Sequence, residues 1–178
     1  MKKLIVIFAA ALMMTSLAAA QTTATGTLNV SATVTGSIGL VFNKDASGVA
    51  LTSGAGTNAA SLDFGTVSAF GAVATGVTRP TPAPAATNFT VSTPVDVLVT
   101  QANASSANYL LTTQLSAADA VNTWAVNGTS FTNSTSATAT AAGTYGTNVQ
   151  VTLAITIPFT TASGTTISNT VNFLATAN

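Results

Sequence analysis

Residues 27–43 read TLNVSATVTGSIGLVFN, and apolar and polar side chains alternate along them. The even-numbered positions are apolar or small, and most odd-numbered positions are Thr, Ser or Asn. A period of two predicts a β-strand with one dry face and one wet face. The run is roughly three times as long as a typical strand of about five or six residues. It is therefore either one bent strand or two strands broken near Gly36.

The segment before this run has the features of an export signal. Lys2 and Lys3 give a basic start, residues 4–14 are apolar, and three Ala residues precede Gln21. The apolar part is shorter than the roughly 20 residues that a membrane-spanning helix needs. We therefore predict a signal peptide over residues 1–20 and no membrane span after its cleavage. The protein is expected to be exported to the cell surface or beyond it, most simply through a bacterial envelope.

The mature chain predicted in this way has very few charges. Only 4% of all residues are charged, and residues 21–178 carry two cations, Lys44 and Arg79, against four Asp residues, a net charge of −2. Without a basic patch the chain cannot neutralise phosphates, which excludes the usual basis of nucleic-acid binding. A neutral surface rich in Thr, Ser and Asn puts little charge repulsion between copies, which suits close packing of subunits.

The residue types that carry most enzyme chemistry are missing. The chain has no Cys and no His, and its four acidic residues are all Asp. Ser-His-Asp and Cys-His mechanisms lack their base, and the usual zinc sites lack their ligands. Paired-carboxylate chemistry would have to use Asp63, Asp96 and Asp119, which we interpret as structural residues. We therefore predict a non-enzymatic protein with no catalytic residue, no cofactor and no metal site.

A turn after the opening run resembles the first half of a calcium-binding loop. Its first, third, fifth and sixth positions carry residues found in such loops: Asn43, Asp45, Ser47 and Gly48. The pattern also requires a bidentate Glu at position twelve, where this chain has Gly54. The loop lacks its strongest ligand, and we interpret it as a plain turn.

The scattered aromatic residues leave a second function open. Tyr109, Trp124 and Tyr145 are candidates for a sugar-stacking platform, in which case the protein is a surface adhesin or a carbohydrate-binding module that uses exposed aromatics. This alternative requires Tyr109 and Trp124 to be exposed in a groove. Packing in the core or across strands is the commoner use of such residues.

The middle of the chain predicts strands joined by turns, with almost no helix signal. Strand patterns cover residues 49–52, 61–67, 88–93, 95–100 and 109–115. Pro94 interrupts two of these segments. Because proline cannot donate to a ladder, it indicates an edge strand, a bulge or a strand that changes sheet.

The last third of the chain gives the sharpest strand patterns. An Asn-Gly pair at residues 127–128 predicts a two-residue hairpin that places Trp124 opposite Phe131. Odd-numbered apolar residues predict strands over residues 149–159 and 166–177, which we expect to pair with each other in antiparallel fashion. In total, about seven to nine strands predict an all-β fold with a single antiparallel immunoglobulin-like sandwich, and a closed barrel is the alternative.

Two short motifs resemble bacterial fimbrial subunits. TLNVSATV, residues 27–34, follows the export signal, and LDFGTV, residues 62–67, follows a turn-rich gap. The chain is similar to the spore-coat-U-like secreted pilin domains and to related cysteine-free fimbrial domains. Their final strand also runs to the terminus, as residues 170–178 do here. The resemblance implies an immunoglobulin-like sandwich that lacks one strand, which the N-terminal extension of the next subunit supplies.

This resemblance gives the opening run two possible roles. In one, residues 21–35 are a donor-strand extension and residues 36–178 are the sandwich domain. The extension then fills an apolar groove of a neighbouring subunit with four side chains: Leu28, Val30, Ala32 and Val34. Burying the three larger ones contributes about 5 kcal/mol, from about 1.5–3 kcal/mol each. In the other role, residues 27–42 are the domain's own first strand.

The function expected from the sequence is structural. We predict a subunit of a fimbrium or surface fibre that assembles by β-strand addition. Its expected partners are identical or related subunits and a secretion chaperone, with no nucleic acid among them. The chemistry of such a protein is strand pairing and apolar burial.

Overall fold

Alternating Thr, Val and Ala residues dominate the chain, and this pattern forms strands. The structure is a computed structural model that describes residues 24–178. Within this range the chain forms ten strands and no helix. In chain order they are β1 (Ser37–Asn43), β2 (Leu51–Ser53), β3 (Ser61–Leu62), β4 (Asn88–Ala102), β5 (Tyr109–Leu115), β6 (Thr123–Val126), β7 (Thr129–Phe131), β8 (Ala137–Gly143), β9 (Asn148–Pro158) and β10 (Val171–Ala177). The predicted signal peptide, residues 1–20, lies outside the described residues.

The strands form two main antiparallel sheets. The order is β1-β4-β9-β6-β7 in one sheet and β10-β5-β8 in the other, and β2 and β3 form a small separate hairpin. Buried side chains from both main sheets belong to one apolar core, as expected for a sandwich. The predicted all-β antiparallel fold is confirmed. The ten described strands slightly exceed the seven to nine expected, and three of them, β2, β3 and β7, are only two or three residues long.

The chain divides into two units, Met1–Thr33 and Val34–Asn178. Of the first unit the structure describes residues 24–33, and these form no strand. β1 begins at Ser37 in the second unit, so the long alternating run is interrupted at Gly36 and only its second half forms a strand. A Cβ atom at Gly36 would lie 2.8 Å from the carbonyl oxygen of Asn103, so this close approach of two backbones requires glycine.

β4 is the longest strand and runs through Pro94 without interruption. The predicted interruption is therefore wrong, but the edge position that the proline also indicated holds locally, because β1 covers only the far end of β4 and Pro94 pairs with β9 alone. Pro94 is tolerated because of the side to which its nitrogen points. Ser92, two residues earlier, exchanges backbone hydrogen bonds with Thr78 on the side away from β9, and the nitrogen of Pro94 points to that side too. β1 pairs only with residues 96–102, so the ladder needs no donor at Pro94.

The last two strands do not pair with each other, and this prediction is wrong. β9 lies between β4 and β6 in the five-stranded sheet, whereas β10 pairs with β5 in the other main sheet. Because both edges of β9 are occupied, the connection over residues 159–170 crosses from one sheet to the other. This crossing places β10 at the edge of its sheet.

Other predicted elements match the structure closely. β5 covers the predicted residues 109–115. Trp124 pairs with Phe131, and φ angles of 48° at Asn127 and 81° at Gly128 form the predicted two-residue turn. β2 and β3 are shorter than predicted, at three and two residues.

We expect Gly143→Ala to lower the free energy of unfolding by about 1–3 kcal/mol. Gly143 lies opposite Tyr109 in the β5–β8 pair, and a Cβ atom there would overlap the buried Tyr109 ring. Urea unfolding followed by Trp124 fluorescence measures the change. The control is Ala142→Ser at the exposed neighbouring position, which should leave the free energy unchanged. Equal values for the two variants would contradict this packing.

Candidate functional site

The outer edge of β1 carries backbone groups without a strand partner. The N–H of Phe42 donates to the carbonyl oxygen of Thr57 (2.9 Å), and the Phe42 carbonyl accepts from the N–H of Gly56 (2.7 Å), so both groups point away from β4. Backbone groups alternate in direction along a strand, so those of Ile38 and Leu40 also point outward. Among residues 24–178, no strand pairs with this side of β1.

β10 presents a second free edge. The carbonyl of Thr170 accepts from the N–H of Ser116 (2.8 Å), and the N–H of Asn178 donates to the carbonyl of Asn108 (3.0 Å). Even-numbered residues therefore direct their backbone groups toward β5. The odd-numbered residues direct theirs away from it: Val171, Phe173 and Ala175. In the described chain no strand pairs with β10 on that side.

The two free edges lie on the same side of the sandwich, next to core side chains that are only half-buried. The rings of Phe42 in β1 and Phe173 in β10 meet edge to face, with centroids 5.1 Å apart. The inward side chains of both strands pack against the core but are only half-buried: Leu40, Phe42, Val171, Phe173 and Ala175. The core residues behind them are shielded from water, since Val97, Val99 and Leu111 are fully buried.

Hydrogen bonds join the two sheets on the opposite side of the sandwich. The side-chain amide of Asn127, in the β6–β7 turn, donates to the carbonyl of Ala139 in β8 (2.9 Å). The N–H of Leu115, at the end of β5, donates to the carbonyl of Thr132, just after β7 (3.0 Å). The sandwich is thus bridged on one side and open between β1 and β10.

The four side chains predicted to pair with another subunit lie outside any strand. Leu28, Val30 and Val34 are 87%, 84% and 73% exposed, and Ala32 is also exposed. A row of exposed apolar side chains is costly in water and marks a segment that gains stability when it is covered. The described residues 24–36 form no strand, so their backbone is free to enter a ladder.

Residues 54–59 form a tight loop, here called the edge loop, that covers one end of the free edge of β1. Gly56 and Thr57 supply the two bonds to Phe42 described above. The edge loop lines a cleft of about 610 Å³ together with part of β1 and the Phe173 ring. The open part of the β1 edge therefore extends from Leu40 toward Ser37 only.

The aromatic residues do not form the exposed platform that sugar stacking requires. Tyr109 is 0% exposed and Trp124 is 8% exposed. Tyr109 packs against Tyr145 with ring centroids 5.2 Å apart, and the Trp124 indole N–H donates to Asp119 (2.8 Å). The exposure of Tyr109 and Trp124 that the carbohydrate-binding alternative requires is therefore not found, because both rings pack in the core.

The Asp residues act mainly as acceptors in turns. Asp63 accepts from the N–H of Gly65 (2.8 Å), as expected for a turn residue. Bonds from the Ser47 hydroxyl, the Gln150 amide and the Ser47 N–H lower the pKa of Asp45 to about 2. Burial and the nearby Asp45 carboxylate raise the pKa of Asp96.

No metal-binding or membrane-spanning element is found in the described residues. Among residues 24–178 no three acidic, His or Cys side chains lie close enough together to hold a metal ion. The same part of the chain contains no helix that is both long and apolar enough to cross a membrane. The half calcium loop is a turn in which Asp45 bonds to Ser47 and Gln150.

Sequence reasoning found one half of the candidate site and missed the other. It singled out Leu28, Val30, Ala32 and Val34 from their period. It did not find the free edge of β10, because it paired that strand with β9. The missed signal is that Val171, Phe173 and Ala175 form an apolar row in a strand with no adjacent hairpin turn to supply its partner.

Comparison with known proteins gives no relative. No protein-family model matches the chain, and neither a curated protein nor a solved structure matches it.

The hydrogen bonds to the Asp119 carboxylate predict that the folded chain loses stability in acid. Partial burial raises the pKa of Asp119, but hydrogen bonds from the N–H of Asn122, the Trp124 indole and the Asn122 amide lower it by more. The net result is a pKa of about 2, against an ordinary value of 3.8. Because the carboxyl group is more acidic in the folded chain, its contribution is complete above about pH 4 and disappears as the pH falls toward 2. Asp119→Asn should make the free energy of unfolding less dependent on pH in this range.

Urea unfolding at pH 7 and at pH 3, followed by Trp124 fluorescence, measures this dependence. The difference between the two pH values should be smaller in the variant than in the wild type. An identical difference in both proteins would contradict a stabilising role for the Asp119 carboxylate.

Proposed function

We propose that the protein is an exported, non-enzymatic structural subunit of a fimbrium or surface fibre. In this function, residues 27–35 of one copy add as a strand at the opening between β1 and β10 of the next copy. The observation that carries the proposal is the pair of free edges on one side of the sandwich, next to half-buried apolar side chains. The completed domain is an immunoglobulin-like sandwich.

The backbone of both edges supports strand addition. β1 offers the outward groups of Ile38 and Leu40, and β10 offers those of Phe173 and its odd-numbered neighbours. Neither strand, with sequences SIGLVFN and VNFLATA, carries a charged residue or a proline. Charges, prolines and bulges are the usual means by which exposed edges avoid pairing with other chains.

The side chains of the extension complement this opening. Leu28, Val30 and Val34 lie on one face of an extended chain, and the facing side chains of β1 and β10 are apolar and half-buried. Covering both sets removes apolar surface from water, at about 1.5–3 kcal/mol for each large side chain. The polar face of the same strand carries Thr, Ser and Asn, which suits exposure to water.

The predicted export signal and the low charge of the chain also support a role as a fibre subunit. Residues 1–20 have the pattern of a signal peptide, and a secretion chaperone that covers the free edges is an expected partner during export. The low charge lets identical subunits approach closely. Identical or related subunits are the lasting partners.

The proposal predicts that assembly depends on the apolar face of the extension. Val30→Asp should weaken subunit association by roughly 10- to 150-fold, because it removes about 1.5–3 kcal/mol of burial before the cost of the charge is added. Ser31→Asp puts the same charge on the polar face of the same strand and serves as the matched control. Sedimentation velocity of the purified mature chains should show polymers for the wild type and Ser31→Asp, and mainly monomers for Val30→Asp.

Deletion of residues 21–35 separates pairing between copies from pairing within one chain. If the strand is donated to another copy, the deletion leaves folded monomers. A wild-type chain that stays monomeric, and that unfolds when these residues are removed, would show that the run belongs to its own sandwich and would contradict the proposal.

A further inference from the structure

The edge loop is held in shape by its own hydrogen bonds. The Thr57 hydroxyl lies within hydrogen-bond distance of the carbonyls of Gly54 (2.7 Å) and Ala59 (2.9 Å), between which its single proton is shared, and the Thr57 N–H donates to Gly54 (3.0 Å). Gly54 has a φ of 73°, and a Cβ atom there would overlap the Ala59 carbonyl oxygen. This loop therefore presents Gly56 and Thr57 to Phe42 in a fixed position.

The sequence of the extension leaves its register poorly defined. Three of its four apolar side chains, Leu28, Val30 and Val34, are similar in size, Ala32 is smaller, and the polar positions between them are all Thr, Ser or Asn. A shift by two residues keeps every apolar side chain on the same face, so its cost is limited to exchanging apolar side chains of unequal size, such as Ala32 and a Val. A defined assembly therefore needs a stop that the extension itself does not provide.

We propose that the edge loop is the register stop for a strand donated by a second copy of this chain. The inference rests on the proposed function and explains how the open edge of β1 selects one register of the donated strand. The bonds from Gly56 and Thr57 occupy the backbone groups of Phe42, the last outward-facing position of β1. An incoming strand pairs opposite Ile38 and Leu40 and cannot slide past Phe42 without breaking both bonds.

Cysteine crosslinking tests this stop, because the chain has no Cys of its own. Acceptor chains carry Ser37→Cys, an exposed position on the outer face of β1. Donor chains carry Cys on the polar face of the extension in place of Asn29, Ser31 or Thr33. Acceptor and donor are mixed during refolding and oxidised, and the yield of crosslinked dimer is compared for the three donors. With the edge loop intact, one donor position should give most of the crosslink.

Gly56→Pro in the acceptor removes the stop, since proline has no N–H and cannot adopt the φ of 77° found there. The crosslink should then spread over at least two donor positions that are two residues apart. Thr57→Ala, which only loosens the edge loop, should give a smaller spread. Gly65→Pro is the matched control, because Gly65 also has a positive φ (68°) but donates its N–H to Asp63 and not to β1. Trp124 fluorescence checks that each acceptor is folded.

The outcomes separate this inference from the proposed function. One dominant crosslink that persists in folded Gly56→Pro, or a mixture already present with the intact loop, overturns the register stop and leaves strand donation standing. Absence of a crosslink between copies for every donor overturns strand donation, and the register stop with it.

Discussion

The N–H and C=O groups on the free edges of β1 and β10 need hydrogen-bond partners, and this requirement is the constraint on which the structure depends. Each N–H and C=O that leaves water needs a hydrogen-bond partner, and the ladders of β4, β5 and β9 provide one. Within the described chain, β10 and, apart from Phe42, β1 pair with another strand on one side only. Their outward groups are left to water or to another strand, in a chain with almost no charge to keep other strands away.

The asymmetry of the sandwich follows from the path of the chain. The crossing over residues 159–170 moves the last strand out of the five-stranded sheet and places it beside β5. On the far side, Asn127 and the residues after β7 tie the sheets together. On the near side, Phe42 and Phe173 meet, but the side chains around them stay half-buried. In the proposed assembly, a strand with small and medium apolar side chains from a second copy fills this opening.

Local patterns in the sequence predicted the strands well and their neighbours poorly. The period of residues 109–115 and the Asn-Gly turn at residues 127–128 depend on nearby residues alone, and both are confirmed. The partner of β10 depends on which edges remain free after β4, β6 and β9 have paired, and no local pattern encodes that. The interruption predicted at Pro94 is wrong for a related reason. Whether the proline breaks the strand depends on the side to which its nitrogen points and on where β1 ends, and no local pattern gives either.

Amide hydrogen exchange of single residues tests the free edges most directly. In the isolated subunit, the amides of Leu40 and Phe173 should exchange quickly, whereas those of Val41 and Leu174, which point into the β1–β4 and β10–β5 ladders, should be protected. In the assembled protein, Leu40 and Phe173 should become protected as well. Slow exchange of Leu40 and Phe173 in a subunit shown to be monomeric would mean that the two edges are already paired, and would contradict assembly by strand addition.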